Sequence, residues 1–280
     1  MRPSFYHHLH PPTIPTQQAR WRYTLGAGGL SLFFAAILLI SGLLLMFYYM
    51  PRPEEAAQSI QTITFLVPYG WLVRGLHYWA AQMLVVTVLV HLTRVLLTGA
   101  YAHPRRLNYL IGLGLLLLTL FLDFSGYVLR WDESIHWALV VSMNLLKTIP
   151  LVGDKLYGFL VGGQQPGPAT LLRFYVWHIF GLVLPFLFLV GWHIFRVRRD
   201  GGIAAPPFDL QGGNRRIDRF ELARREGMAA LLAGIVLLLV ATFIPAPIAA
   251  PIGQANAPPV EAHAPWFFLW IQVLLRQGDP

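Results

Sequence analysis

Five apolar runs constrain this chain more than any other feature, at about Gly28 to Tyr49, Leu76 to Leu97, Asn108 to Leu129, Phe174 to Phe195 and Met228 to Ile244. Each reaches or approaches the roughly 20 residues that a helix needs to cross the hydrocarbon layer of a bilayer. Backbone polar groups find no water at that depth, so the runs are expected to be helical and the fold class to be an all-α integral membrane protein. Composition agrees: 56% hydrophobic residues, 12% charged residues and a mean hydropathy of +0.54 over 280 residues lie outside the soluble range. A sixth run, Trp266 to Leu275, is too short to span. Met1 to Arg22 is polar and rich in His and Pro, without the pattern of a cleavable signal, so the first span is expected to act as an uncleaved insertion signal.

The net charge of +8 is distributed in a way that argues against nucleic acid as a partner. With a cytoplasmic amino terminus, the loops on that side hold Arg2, Arg20, Arg22, Arg94, Arg105, Arg106, Arg196, Arg198, Arg199, Arg215, Arg216, Arg219, Arg224 and Arg225. The other side holds Arg52, Arg74, Arg130, Lys147, Lys155 and Arg173. This is the positive-inside bias of a multi-pass protein of the cytoplasmic membrane. The absence of Cys excludes disulfides, iron–sulfur ligation and thioether attachment of haem through this chain.

Four segments follow: a cytoplasmic amino-terminal stretch 1–25, a four-helix unit 26–200, a basic cytoplasmic linker 201–227, and 228–280 with the fifth span, an outer loop and the start of a sixth helix. Prolines 51, 53 and 68 punctuate the first connection, and Arg130 to Arg173 is long and mixed in polarity. That long connection reads as short amphipathic helices on the membrane surface, closed by the turn from Gly162 to Pro168.

Four of the ten histidines lie within spans, His77 and His91 on the second, His178 and His193 on the fourth. An imidazole facing lipid is unfavourable, so these side chains are expected to point inward and be paired or ligated. In an α-helix, 14 positions bring a side chain back to within about 40° of its starting direction, about 21 Å further along, whereas 15 positions miss by about 60° the other way. Both spans run in the same direction, so His77 matches His178 in depth and His91 matches His193. Two bis-histidine sites result, an outer and an inner one, each suited to a non-covalent haem b. Axial saturation leaves no position for oxygen, and the chemistry is electron transfer.

Glycines repeat the same interval, Gly28 and Gly42 on the first span, Gly112 and Gly126 on the third. They are expected to clear space for a bulky flat ligand. Arg74, Arg94, Arg173 and Arg196 flank the four histidines toward the two surfaces and are placed to pair with haem propionates. Each feature alone has an ordinary explanation: an isolated histidine packs, membrane glycines mediate helix contacts, and terminal arginines snorkel. Their coincidence is what supports the two-haem reading. The remaining histidines, including His7, His8, His10 and His103, lie outside the spans.

The runs Leu72-Val73-Arg74-Gly75-Leu76-His77-Tyr78-Trp79, His91-Leu92-Thr93-Arg94 with Leu97-Thr98-Gly99-Ala100, Gly126-Tyr127-Val128-Leu129-Arg130-Trp131-Asp132, Ile149-Pro150-Leu151-Val152-Gly153 and Arg173-Phe174-Tyr175 resemble signatures of the cytochrome b subunits of quinol:cytochrome c reductases. The resemblance covers about Tyr23 to Arg199, and the 15-residue step from His178 to His193 is similar to the short photosynthetic type. It implies quinol oxidation at the outer face, with one electron leaving to a Rieske-type iron–sulfur protein or cytochrome c subunit and the other crossing the membrane. It also implies a dimer and a further membrane subunit that supplies more carboxy-terminal helices.

Three departures stand out. Gly26 occupies the place of the cysteine that holds an extra covalent haem in the short relatives, Arg130 replaces a proline, and Ala264-Pro265-Trp266-Phe267 replaces the Pro-Glu-Trp-Tyr of the outer quinol pocket. The missing glutamate raises the question of what accepts protons from quinol. Asp123, an ionisable group inside a span and so suspected of function, is one candidate. Glu261 with His263 is the other, and His136 a weaker one. Two alternatives differ in class: a di-haem, quinone-reactive membrane anchor of a dehydrogenase or nitrate-reductase-type enzyme, and a non-redox transporter or assembly scaffold.

Overall fold

A computed structural model describes residues 12–20, 26–204, 216–252 and 265–277. Among the described residues, five helices are long and apolar enough to cross a membrane: α1 (Ala27–Met46), α3 (Gly70–Leu97), α4 (Arg106–Val128), α7 (Pro168–Arg199) and α8 (Arg219–Phe243). The shorter helices are α2 (Ala56–Phe65), α5 (Glu133–Lys147), α6 (Gly153–Val161) and α9 (Leu269–Gln277). The spanning helices keep large apolar residues such as Ile40, Leu43, Phe121, Phe188 and Leu231 on their outer surface. That is the polarity a lipid-facing wall requires, since lipid tails solvate such groups.

Three sequence boundaries shift, one being the start of α7 at Pro168 rather than Phe174. Helix α3 begins at Gly70 rather than Leu76, so Arg74 and Gly75 lie within it. Helix α8 begins at Arg219 rather than Met228, and its first two turns take up part of the stretch read as the linker 201–227. Its start is set by Asp218, whose carboxylate accepts a hydrogen bond from Phe220 N at 2.7 Å. The connection from α4 to α7 forms the expected short amphipathic helices, α5 and α6, and the turn after them runs through Gly162 at φ +74°. Helix α2, in the proline-punctuated first connection, was not anticipated.

The chain divides into two compact units whose boundaries fall near Ser41, Arg74, Thr119, Val183 and Ile244. In the first unit, Phe34, Ala80, Leu84 and Leu237 form a small core flanked by Leu30, Ile37, Trp79 and Met83. Helices α3 and α8 approach closely: a Cβ at Gly75 would lie 3.1 Å from the Ala241 carbonyl oxygen. A short strap completes the unit. Strand β1 (Thr13–Pro15) pairs antiparallel with β2 (Arg216–Asp218), Arg219 N donates to Pro12 O at 2.9 Å, and Arg225 donates to Ala19 O at 3.2 Å.

The second unit has the larger core, built from Tyr49, Ile63, Phe124, Val128, Trp131, Leu139, Tyr157 and Phe174 among others. Buried Tyr49 donates to Leu129 O at 2.7 Å, and burial raises its phenol above the ordinary value. Asp132 caps α5 through Ile135 N and pairs with Arg130 at 2.5 Å, both side chains being largely buried. Thr170 donates to Val161 O at 2.7 Å and so closes the turn between α6 and α7.

Candidate functional site

The inward orientation of the histidines is set by partners on the neighbouring helices. In the first unit, His77 Nδ1 lies 2.9 Å from Ser41 Oγ. In the second, His178 Nδ1 lies 3.0 Å from Ser125 Oγ and 3.1 Å from Leu122 O. The serine protons are already committed, because Ser41 Oγ donates to Ile37 O at 2.6 Å and Ser125 Oγ donates to Leu122 O at 2.9 Å. Each hydroxyl oxygen must therefore accept from the ring, and Nδ1 carries the hydrogen in both cases. That tautomer leaves the Nε2 lone pair for a metal, the arrangement by which second partners orient ligating imidazoles.

His91 and His193, in the first unit, are held by packing instead. Their ring centroids are 6.3 Å apart at an interplanar angle of 79°. A metal at roughly 2.0–2.1 Å from a nitrogen of each ring fits that separation. A Cβ at Gly28 would lie 3.4 Å from His91 Cε1 and Nδ1, and one at Gly112 would lie 3.4 Å from His193 Cε1. His193 Nδ1 is buried on the side of the Asn108 backbone. Both histidines line a cavity of about 770 Å³ together with Gly28, Gly112, Ala35, Leu84, Val88 and Phe186. Its size and mostly apolar wall suit a large flat cofactor.

Gly28, Gly112 and Gly126 lie against imidazole rings, Gly126 most tightly, since a Cβ there would be 3.0 Å from His178 Cε1. Gly42, on α1, is partly buried. The sequence carries a sign of the missed serines: Ser41-Gly42 and Ser125-Gly126 repeat the same dipeptide, whereas Gly28 and Gly112 follow Ala27 and Ile111.

A second missed feature resolves the 15-residue step. Residues Trp177–Gly181, including His178, form a π-helical turn inside α7. Such a turn inserts one residue without advancing the helix register. The interval from His178 to His193 therefore acts as 14 α-helical positions, which replaces the roughly 60° error of a regular helix with the same offset of about 40° that separates His77 from His91.

The four arginines have distinct surroundings. Arg94 lines the cavity with Arg198 and Arg199. Arg196 is buried and pairs with Asp200 at 3.0 Å. Arg74 donates to Ala246 O at 3.1 Å and to Pro247 O, fixing the segment after α8. Arg173 donates to Gly158 O at 2.8 Å and Phe159 O at 2.6 Å and so caps α6. Asp123 on α4 is buried, and its Oδ2 has no hydrogen-bond partner among the described residues. Glu261 and His263 lie outside the described residues, and His136 on α5 packs edge-on to Trp137 at 5.4 Å.

Comparison with known proteins matches this architecture. Residues 14–201 match the family model Cytochrome b/b6/petB. The chain is 38% identical over 177 residues to cytochrome b6 of Heliomicrobium gestii, covering 62% of this chain and 82% of that one. It is 37% identical over 195 residues to cytochrome b6 of Heliobacterium modesticaldum, covering 69% and 88%. A solved structure described as a hyperthermophilic respiratory Complex III superposes with a TM-score of 0.79 at 23% identity, over 91% of this chain and 69% of that one. The chain belongs to the cytochrome b/b6 family. It is a multi-pass, haem-b-binding membrane protein that carries electrons across the membrane as part of a multi-subunit, bc-type oxidoreductase complex.

Proposed function

We propose that this chain holds two non-covalent haems b, one between His77 and His178 and one between His91 and His193, and couples them to quinol oxidation and quinone reduction. The observation that carries the reading is the tautomer imposed on His77 and His178 by Ser41 and Ser125, which leaves Nε2 available for iron in both. The spacing of His91 and His193 supports the second site. When bound, the haems supply one-electron carriers without an open coordination position. Arg94 is the propionate partner at the cavity, with Arg198 and Arg199 beside it. Arg74, Arg173 and Arg196 contribute positive charge near the other ligands while holding the local backbone or Asp200. Gly28, Gly42, Gly112 and Gly126 keep the ring and haem faces clear.

The amino terminus faces the cytoplasm in this reading, as the arginine distribution supports, and the His91 and His193 site is the inner one. Quinol is oxidised at the outer side. Electrons leave from there to a Rieske-type protein or cytochrome c subunit, within a dimer that includes a further membrane subunit. Asp123 accepts a proton from quinol at that side. Its support is burial of an unpartnered carboxyl oxygen inside a span, where an ionisable group is costly to keep. Glu261 and His263 form the competing acceptor pair.

The test is haem stoichiometry and quinol oxidation on the purified complex. Pyridine-haemochrome analysis gives two haems b per wild-type chain, all removed by acid-acetone, and His91→Leu gives one. Asp123→Asn keeps both haems and slows quinol oxidation by about 100-fold, the lower range for loss of a general base. One haem per wild-type chain would refute the ligand assignment. Unchanged quinol oxidation in Asp123→Asn would transfer the proton role to Glu261 and His263.

A further inference from the structure

Helix α4 carries a glycine against a histidine ring twice, fourteen residues apart, and the two settings differ in one respect. At the later one, in the second unit, the Leu122 carbonyl oxygen and Ser125 Oγ lie 3.1 and 3.0 Å from His178 Nδ1, and Gly126 lies against the ring. The corresponding positions at the earlier one, in the first unit, are Asn108, Ile111 and Gly112. There His193 Nδ1 lies on the side of the Asn108 backbone, as His178 Nδ1 does toward Leu122, and Gly112 lies against the ring. The backbone and glycine positions therefore match, but the polar side chain has moved. Ile111 stands where Ser125 does and accepts no hydrogen bond, whereas Asn108 stands where Leu122 does and brings an amide.

Two buried atoms at this place lack a hydrogen-bond partner among the described residues, His193 Nδ1 and Asn108 Oδ1. Asn108 is the third residue of α4, where a polar side chain ordinarily turns to solvent or bonds the local backbone. Instead it is 6% exposed, and its oxygen makes no such bond. The Nδ1–Cε1 edge of the His193 ring faces α4, since a Cβ at Gly112 would lie 3.4 Å from Cε1 and 4.0 Å from Nδ1. Nε2 is thus the nitrogen turned away from α4. With Nε2 serving a metal, Nδ1 carries the ring hydrogen and is a donor. Asn108 Oδ1 is an acceptor on a soft terminal torsion. One bond between them removes the cost of leaving both unmet in a buried place.

We propose that Asn108 is the positioning residue of His193, its side-chain oxygen accepting the Nδ1 hydrogen as Ser125 does for His178. This role rests on the reading of His193 as an iron ligand, and Asn108 acts only through that ring. A hydrogen bond at Nδ1 fixes the ring plane and raises the basicity of Nε2. A more basic imidazole favours ferric over ferrous iron. Asn108 therefore lowers the potential of the haem between His91 and His193.

The experiment is an equilibrium redox titration of the purified complex, with haem content measured by pyridine haemochrome and the low-spin EPR signals of both haems recorded. Two variants are compared with the wild type. Asn108→Leu keeps the volume and removes the acceptor. Asn108→Leu combined with Ile111→Ser puts a hydroxyl before Gly112, as Ser125 stands before Gly126. In Asn108→Leu the potential of the haem between His91 and His193 rises by up to about 59 mV, the one-electron equivalent of a tenfold loss confined to the ferric form. Its EPR signal moves, and the other haem is unchanged. Adding Ile111→Ser brings potential and signal back toward the wild type. A merely structural role for Asn108 predicts the opposite, because Ile111→Ser removes further buried packing. If Asn108→Leu loses that haem outright, its return in the double variant supports the role. Wild-type potential and EPR signal in Asn108→Leu would overturn it, and so would a double variant no closer to the wild type than the single one. A wild-type complex without a haem at His91 and His193 would instead refute the ligand assignment itself.

Discussion

His178, in the second unit, and the two histidines of the cavity are held in place by different means. His178 is fixed by Ser125 and Leu122 through Nδ1 and by Gly126 against its ring. His91 and His193 have no serine hydroxyl; glycines at looser contact and each other's rings define where they sit. One arrangement fixes the tautomer and ring plane by hydrogen bonds. The other leaves the rings freer beside an open, arginine-lined cavity. A ring fixed by hydrogen bonds keeps one orientation, whereas rings beside a cavity have room to turn. The two units thus hold their histidines by different means.

Three changes test that contrast, in decreasing order of effect. Inserting one alanine after Phe180 adds a position to the π-turn region and rotates His193 away from His178 by about 100°. One haem is lost outright, whereas deletion of Phe180, which allows a regular α-helix at 14 positions, keeps both. Loss of haem in the deletion would show that the π-turn does more than correct register. Next in size, Gly126→Ala forces a methyl to 3.0 Å from His178 and destabilises by about 1–3 kcal/mol. Gly28→Ala and Gly112→Ala, at 3.4 Å, cost less because the cavity lets the rings yield. Thermal unfolding followed at the haem Soret band ranks them, and equal losses would erase the distinction between tight and loose ends. Smallest, Ser125→Ala and Ser41→Ala each remove the hydroxyl bond to the ring, worth about 1 kcal/mol, together with the hydroxyl's own bond to the helix backbone. Haem affinity at that site weakens about tenfold, the low range for a second partner of a metal ligand. No change in haem retention would mean that the serines do not orient the ligands.

Much of this protein is readable along the chain. The number of spanning helices follows from the apolar runs, because a bilayer accepts only segments whose backbone is internally bonded. The four histidines stand out by the cost of placing imidazole in lipid, and the proximity of His91 to His193 follows from helix rise. The short helices α5 and α6 announce themselves by their alternation of apolar and polar residues. Other features depend on residues far apart in sequence. Ser41 and Ser125 looked like ordinary helix residues, since only the approach of α3 and α7 turns their hydroxyls into tautomer-setting acceptors. The Ser-Gly repeat could have pointed to them.

The remaining decisions belong to the tertiary structure, because each depends on which neighbour reaches a group first. The arginines illustrate it. Composition and position made Arg173 and Arg196 equivalent to Arg94, but the end of α6 takes Arg173 and Asp200 takes Arg196, whereas Arg94 reaches Ala204 O at 3.4 Å on the cavity wall. Charge at a helix end is set by sequence; its partner is set by packing. The π-turn at His178 is a second case, since a local pattern cannot show that one helical residue must be absorbed so that a distant histidine faces the right way.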